Sequence, residues 1–421
     1  MHRPDRVYTQ ATTVAAFAGT MAFTITNIYR FTVAGLTPFQ LVFVGTAMEA
    51  TVFVSEVPTG VVADLLSRRW SVIVGHAGMG VAFVVEASFA SFTGVLVAQM
   101  LWGLSYTFTS GATEAWMAGE LAGHSGDPDE SVLSAVFFRS SKWSTLATVV
   151  ALPLSFLLGT ANLRLPLFVG AAVQLALVGF LVVAMEEHHF EPAAPDERST
   201  WRRFTTTVRA GGAVIRRSRT LVLLAVVIAV AGGSSEAYDR FAERHLLLGV
   251  GVPRIGGHGP ILGLALLFTT SALIGVGIAA WLERRSLRGR PSLRRWLAAL
   301  ILVQCGALVG FALAGSFLVA GVMAVIVERS RSVRQKLFAS WIVPLTPKAQ
   351  RATVLSALSQ FDAVGQVTVG PGLGAVAGVW GVPASLVTSA VVLAPAVAVV
   401  TAARAADVPG TRYEGPSPLG S

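Results

Sequence analysis

Glu49, Glu328 and Asp362 are carboxylates placed inside long apolar runs. Low dielectric gives such a group a chemistry that an exposed carboxylate lacks. Unpaired, it favours the neutral acid; beside a cation, it stays ionised. A carboxylate that alternates between these states can carry a proton. Glu49 stands near the middle of its run with no obvious partner at equal depth, and it leads this set of proton-coupling candidates. The neighbouring runs hold further polar groups that are costly in hydrocarbon and therefore read as functional. Other chemistries are not supported by motif. The chain has no Walker loop, no metal-ligand cluster and no nucleophile–base pair at a telling spacing. No catalytic residue, metal ligand or cofactor is expected, so neither an enzyme nor an ATP-driven pump is. The single cysteine, Cys305, reads as packing.

The elements that position these groups follow from composition. The 421 residues are 53% hydrophobic and only 13% charged. A soluble domain carries about 25% charged residues. Apolar runs near the ~20 residues needed to cross hydrocarbon recur throughout. Their pattern predicts an all-α membrane protein with twelve spans, near 13–35, 38–63, 70–90, 93–118, 132–158, 165–185, 220–245, 260–281, 296–314, 316–342, 351–377 and 382–403. Several contain charges or Gly/Pro breaks that a hydropathy scan penalises. The polar start and the length of the first run argue against a cleavable signal peptide.

Basic residues orient the spans. With a cytoplasmic N-terminus, the inside segments hold Arg3, Arg6, Arg68, Arg69, the arginine clusters in 198–219 and 284–295, Lys348, Arg351, Arg404 and Arg412. The outside loops hold Arg164 and Arg254. The positive-inside rule selects this topology, with both termini cytoplasmic. It also accounts for the net charge of +9, which otherwise suggests nucleic acid.

The predicted organisation is a six-helix half over 1–185, a cytoplasmic linker over 186–219, a second six-helix half over 220–403 and a disordered tail over 404–421. The linker's second half, 201–219, has the composition of a basic amphipathic helix on the inner leaflet. Val132-Leu-Ser-Ala135 opens span five and Val354-Leu-Ser-Ala357 opens span eleven, so an internal repeat supports the division. Such a layout places a site near the midplane between the halves.

Depth sorts the polar groups. Glu56, Glu114 and Arg139 share a cytoplasmic depth and are expected to form a charge network near an inner gate, with structural and coupling roles both open. Glu328, Arg331 and Gln335 share a face of span ten that would line a cavity. Asp362 is the natural partner for a span-ten arginine. Asn27 and Arg30 lie in the outer half of span one. Gln366 and Phe361 join Asp362 in span eleven. Glu236 and Asp239 lie toward the outside of span seven, where an exposed role is equally credible. Tyr106, Trp116, Phe138 and Phe361 offer aromatic walls for a bulky substrate, although aromatic residues in spans more often pack. Gly370-Pro371-Gly372-Leu-Gly374 lies in an apolar span and reads as bending and close packing, not as a phosphate loop.

The loop Gly60-Val-Val-Ala-Asp64-Leu-Leu-Ser-Arg68-Arg69 resembles the signature between helices two and three of the major facilitator superfamily. Glu56-Val-Pro-Thr-Gly60, Leu101 to Trp116, Ser235 to Arg240 and Arg351 to Ser356 are similar to segments of its bacterial drug and metabolite exporters. The resemblance implies the twelve-helix fold and transport by rocking of two halves. It also implies that Asp64 latches onto the start of helix eleven, near Arg351, when the cytoplasmic side closes. The physics fits, since a helix N-terminus offers free N–H groups and a positive dipole end. Gly60 would let helices approach, and Arg68 and Arg69 would hold anionic headgroups. The second half departs from the pattern: Gly277 to Arg285 keeps the glycine and arginines but has no aspartate matching Asp64. A one-sided latch is therefore expected.

These readings imply a multi-pass protein of the bacterial plasma (inner) membrane. It would act as a monomeric antiporter exporting amphiphilic small molecules, as in multidrug resistance, with the proton gradient as energy source. Its partners would be lipid, substrate and protons, with no nucleic acid. A metabolite importer or symporter, a lipid-moving protein and a non-transporting receptor are the alternatives.

Overall fold

The computed structural model describes residues 3–125, 130–190, 212–213, 215–216, 218–254, 259–284, 290–346 and 351–402. Most of the predicted linker and the tail lie outside them.

Every element among the described residues is helical. They are α1 (Pro4–Thr32), α2 (Pro38–Leu65), α3 (Arg68–Ser88), α4 (Phe92–Thr109), α5 (Ala112–Ser125), α6 (Glu130–Ala161), α7 (Leu165–Ala184), α8 (Arg219–Arg244), α9 (Ile261–Arg284), α10 (Arg290–Ala312), α11 (Phe317–Leu345), α12 (Arg351–Trp380), α13 (Val382–Leu393) and α14 (Pro395–Ala402). Predicted span four divides into α4 and α5 at Gly111, whose φ of 73° is the left-handed conformation that ends a helix. Span twelve divides into α13 and α14 at Pro395, which has no N–H to continue the ladder. α8 runs on through a wider π-turn, His245–Val250.

Nine helices are long and apolar enough to cross a membrane on their own composition. Spans four, ten and eleven fall outside that set, because the first is divided, the second carries five charges and the third is diluted by glycine and polar residues. Lipid solvation still suits them, since a helix satisfies its backbone internally.

Local chemistry sets the turns. Thr37 and Gln40 form a reciprocal capping box at α2, with Pro38 in the first turn. Ser67, Ser91 and Ser218 cap α3, α4 and α8 through the backbone N–H groups of Trp70, Gly94 and Leu221. Polar side chains then pin helices together. Thr12 and Ser140 meet at 2.6 Å between α1 and α6, and Ser155 donates to the Met21 carbonyl at 2.7 Å. Between α8 and α12, Gly232 and Gly233 lie against Asp362, Gly365 and Val369, where a Cβ would overlap its neighbour. Small residues allow this close crossing.

The packing has a direction. One apolar core joins the outer ends of the first seven helices (Ile28, Tyr29, Leu41, Val42, Phe156) to the later helices (Phe241, Phe311, Leu373). A separate core at the arginine-rich end contains Tyr8, Ala63, Val72, Trp116 and Leu181, all from the first seven helices. Apolar contacts between the groups lie at the same outer end, while a polar contact, Gln360 to Glu56 at 2.7 Å, lies further in. Phe156 stacks on Phe268 at 6.0 Å, and Gly374 of α12 packs on Val42 and Phe39 of α2. Gly370 likewise meets Val42 and Thr46, so Gly370 and Gly374 serve close packing, whereas Gly372 between them has no neighbour within 4 Å. Ring stacking and glycine packing between the groups thus fall at the end away from the arginine-rich core.

Candidate functional site: a charged layer at the membrane midplane

The middle turns of α2, α8, α11 and α12 carry a layer of opposed charge. Glu236, Asp239, Arg240 and Glu243 rise along α8. Contrary to the exposed alternative, Glu236 is buried, and its carboxylate pairs with Arg240 at 3.3 Å. Arg240 also reaches α2, where its guanidinium rests on Gly45. A Cβ at that position would fall inside the guanidinium, so only glycine leaves room for it. From α11, Arg331 donates to Asp239 at 2.5 Å. Arg329 stands 3.8 Å from Glu328. Asn27 of α1 crosses to α8, donating to the Asp239 carbonyl at 2.8 Å and to Glu243 at 3.4 Å.

These contacts change two expectations. Asp362 does not pair with an arginine; its carboxylate accepts from Gln366, one turn along the same helix, at 2.7 Å. Arg331 turns instead to Asp239, which lies on the nearer helix. Arg331 and Gln335 do line a cavity, as expected from their shared face.

The pairing leaves a remainder. Carboxylates Glu49, Glu236, Asp239, Glu243, Glu328 and Asp362 meet guanidiniums Arg240, Arg329, Arg331 and Arg334. Pairs at salt-bridge distance take up Glu236, Asp239 and Glu328. Glu49, Glu243 and Asp362 have no guanidinium in contact among the described residues. Glu49 has Glu236, Arg240 and Asp362 as its charged neighbours, and no hydrogen bond fixes it among the described residues. The sequence does not single out Glu243, because it sits near the end of its span and reads there as an interfacial charge.

Two cavities flank the layer. One, of about 250 Å³, is lined by Phe23, Asn27, Arg30, Met48, Trp102 and Arg240, among others. Tyr106 stacks on Trp102 with ring centroids 5.4 Å apart, but of the two only Trp102 lines the cavity. The other, of about 290 Å³, lies between α8, α11 and α12.

Arg30 belongs to a structure that sequence reading missed. It is 2% exposed and pairs with Glu86 of α3, which is 1% exposed, through Nε–Oε1 at 2.7 Å. Nη2 reaches Oε2 at 3.3 Å, and Gln99 Nε2 donates to the same oxygen at 2.6 Å. The signal was available, because Arg30 and Glu86 each stand within one turn of the outer end of their helix.

The inner side differs from the expected network. Arg139 pairs with Asp5 of α1 at 2.6 Å, Glu56 accepts from Gln360 of α12 at 2.7 Å, and Glu114 faces the Tyr8 hydroxyl. α1 begins well before the expected position, which brings Asp5 within reach of α6. Trp116 is no substrate wall: it is buried, and its indole N–H donates to the Glu186 carbonyl at 2.8 Å. Phe138 is 78% exposed and Phe361 partly so, and neither contributes to the two cavities.

The signature loop is held from within the chain. Arg68 reaches the Ala115 carbonyl at 3.3 Å, and Arg69 the Val182 carbonyl at 2.7 Å. Glu187 caps α3 through Ser67 at 2.5 Å and the Arg69 N–H at 3.0 Å. The backbone N–H groups of His188 and His189 donate to buried Glu120 at 2.8 and 3.0 Å. The two arginines thus clamp the loop to α5 and α7 beside the segment that caps α3. Gly60 has no neighbour within 4 Å of where a Cβ would stand, so it makes no close approach in this structure. Asp64 is 62% exposed with Arg68 at 3.7 Å. The Arg351 side chain lies outside what is described. Val132 and Val354 do open α6 and α12, the corresponding helices of the two groups.

No family model and no curated protein matches this sequence. Solved structures do match in fold. The nucleoside transporter NupG superposes with a TM-score of 0.73 at 14% identity, covering 95% of this chain and 99% of that one. A POT family transporter in complex with 5-aminolevulinic acid gives 0.70 at 14% identity over 95% and 96%. A bacterial homolog of the human lysosomal transporter Spinster, in an inward-facing and occupied conformation, gives 0.72 at 15% identity over 96% and 97%. The chain thus shares the all-helical fold of these solved transporters.

Proposed function

We propose that this chain is a secondary active transporter that couples proton entry to export of amphiphilic small molecules by alternating access. The observation that carries the reading is the midplane layer in which carboxylates outnumber guanidiniums. An unpaired carboxylate between two helical groups is a group that protonation can switch. Glu49 remains the first candidate. Its charged neighbours come from α8 and α12, across the line along which the groups would rock. Asp362 and Glu243 follow, and Glu328 ranks below them because Arg329 already neighbours it.

Asp64 is the proposed one-sided latch, free while the cytoplasmic side is open and engaged at the start of α12 when it closes. The halves over 1–185 and 220–403 are the proposed rocking units. The setting is a bacterial plasma membrane, and the working form a monomer. Substrate import remains the second reading, since the fold's solved relatives include proteins titled as nucleoside and peptide transporters.

Purified protein in proteoliposomes tests the coupling. Export predicts substrate-dependent acidification of the compartment that receives the proton, lost in Glu49→Gln. A Glu49→Gln protein that still moves protons on substrate addition rules out that assignment. In cells, deleting the gene should raise substrate accumulation; a fall would favour import.

A further inference from the structure

Arg334 is the guanidinium that the layer leaves over. It is 3% exposed, yet its Nε and Nη1 have no hydrogen-bond partner, and no carboxylate comes within salt-bridge distance among the described residues. A buried, unpaired guanidinium is strongly disfavoured in a low-dielectric setting. Its neighbour Arg331, one turn earlier on the same face, is already neutralised by Asp239. Phe338 lies against the Arg334 guanidinium with its ring centroid 6.0 Å away, and Arg334 is part of the wall of the cavity of about 290 Å³.

The walls of that cavity are graded. Ser235, Arg334 and Asp362 stand at its deep end, while Phe338, Ile342 and Leu358 extend along α11 and α12 toward the cytoplasmic side. A ligand entering from the cytoplasm would bring its polar end to Arg334 and leave its apolar body against these side chains. Asp362 is bonded to Gln366 and Arg331 to Asp239, so Arg334 is the guanidinium of this wall left without a carboxylate among the described residues, and it seeks an anion from outside the chain.

We propose that this cavity is an acid-binding site, and that Arg334 selects amphiphiles carrying a carboxylate or similar anionic head. The proposal rests on the transporter reading and narrows its substrate class. The guanidinium supplies charge and a planar fork of donors, and the apolar wall supplies affinity for a ring or short chain.

Titration calorimetry on the full chain in detergent tests it, with naphthalene-2-carboxylate, its neutral carboxamide and 2-naphthylmethylammonium as probes. The carboxylate should bind at least about tenfold more tightly than either analogue. Arg334→Gln should erase that preference and Arg334→Lys should keep part of it. Asp362→Asn should keep or strengthen carboxylate binding, because it removes a like charge from the wall. Equal binding of acid and amide overturns the proposal. So does undiminished acid binding in a folded Arg334→Gln protein, or its loss in Asp362→Asn. Acid binding without transport in proteoliposomes would leave the pocket standing and reject the transporter reading. Proton-coupled transport of a cationic dye with no acid binding would do the reverse.

Discussion

Replacing Glu86 by glutamine removes one charge from the most deeply buried ion pair of the first seven helices. The carboxylate accepts from Arg30 at 2.7 and 3.3 Å and from Gln99 at 2.6 Å, with both charged side chains 2% exposed or less. Glutamine fills the same space and keeps an acceptor, so the loss is mainly charge. The Arg30 guanidinium is then buried without compensation, which costs about 3–5 kcal/mol. At ~2–4 °C per kcal/mol for a unit of 150–250 residues, the apparent Tm should fall by about 10 °C. The double variant Arg30→Met, Glu86→Gln removes both charges while preserving an acceptor for Gln99. It should recover most of that loss, to within about 1 kcal/mol of the native protein, because the penalty lies in the unpaired ion and not in the missing contact. The assay is thermal unfolding of purified protein in one detergent, followed by tryptophan fluorescence. A double variant as unstable as Glu86→Gln would refute the reasoning, since the loss would then come from shape or from Gln99.

Gly45→Ala places a methyl group where the Arg240 guanidinium lies. The flexible arginine can retreat, but only by leaving Glu236, so the protein should fold normally and lose about tenfold in transport rate; unchanged proteoliposome uptake would contradict this. Asp64→Asn changes an exposed residue and should leave stability within about 0.5 kcal/mol, while turnover falls if the latch operates. Normal turnover would remove the gate role. Glu187→Ala deletes the carboxylate that caps α3. It should cost about 1 kcal/mol and speed cleavage within 186–190 under limited proteolysis, and an unchanged cleavage rate would count against the clamp.

The fold was largely legible because lipid is a demanding solvent. Apolar length reveals a span, arginine placement reveals its direction, and the two together placed the helices to within a few residues over most of their length. Charge hid little: α11 and α12 lie where span ten and span eleven were expected, although their hydropathy alone is too low. The breaks at Gly111 and Pro395 carried a visible signal in residue type, but not in apolar content.

The site was legible in one coordinate. Counting residues along a helix measures depth at ~1.5 Å per residue, so Glu49 was placed near the midplane and Asp362 at the depth of a span-ten arginine, while Asp239 was expected further out. Partnership needs two further coordinates, the rotation of each helix and its neighbours. That is why Asp362 turned to Gln366, Arg331 to Asp239 and Arg139 to Asp5, each against or beyond the expected pairing. It is also why Arg334 passed as one charge among several in span ten. The sequence by itself determined a helical membrane protein, its orientation and the depth of its charges, because burial in hydrocarbon constrains composition one helix at a time. Only the tertiary structure decided which carboxylates stay unpaired and which guanidinium faces a cavity without a partner of its own. Those outcomes depend on how helices pack and turn against one another, and no single helix records them.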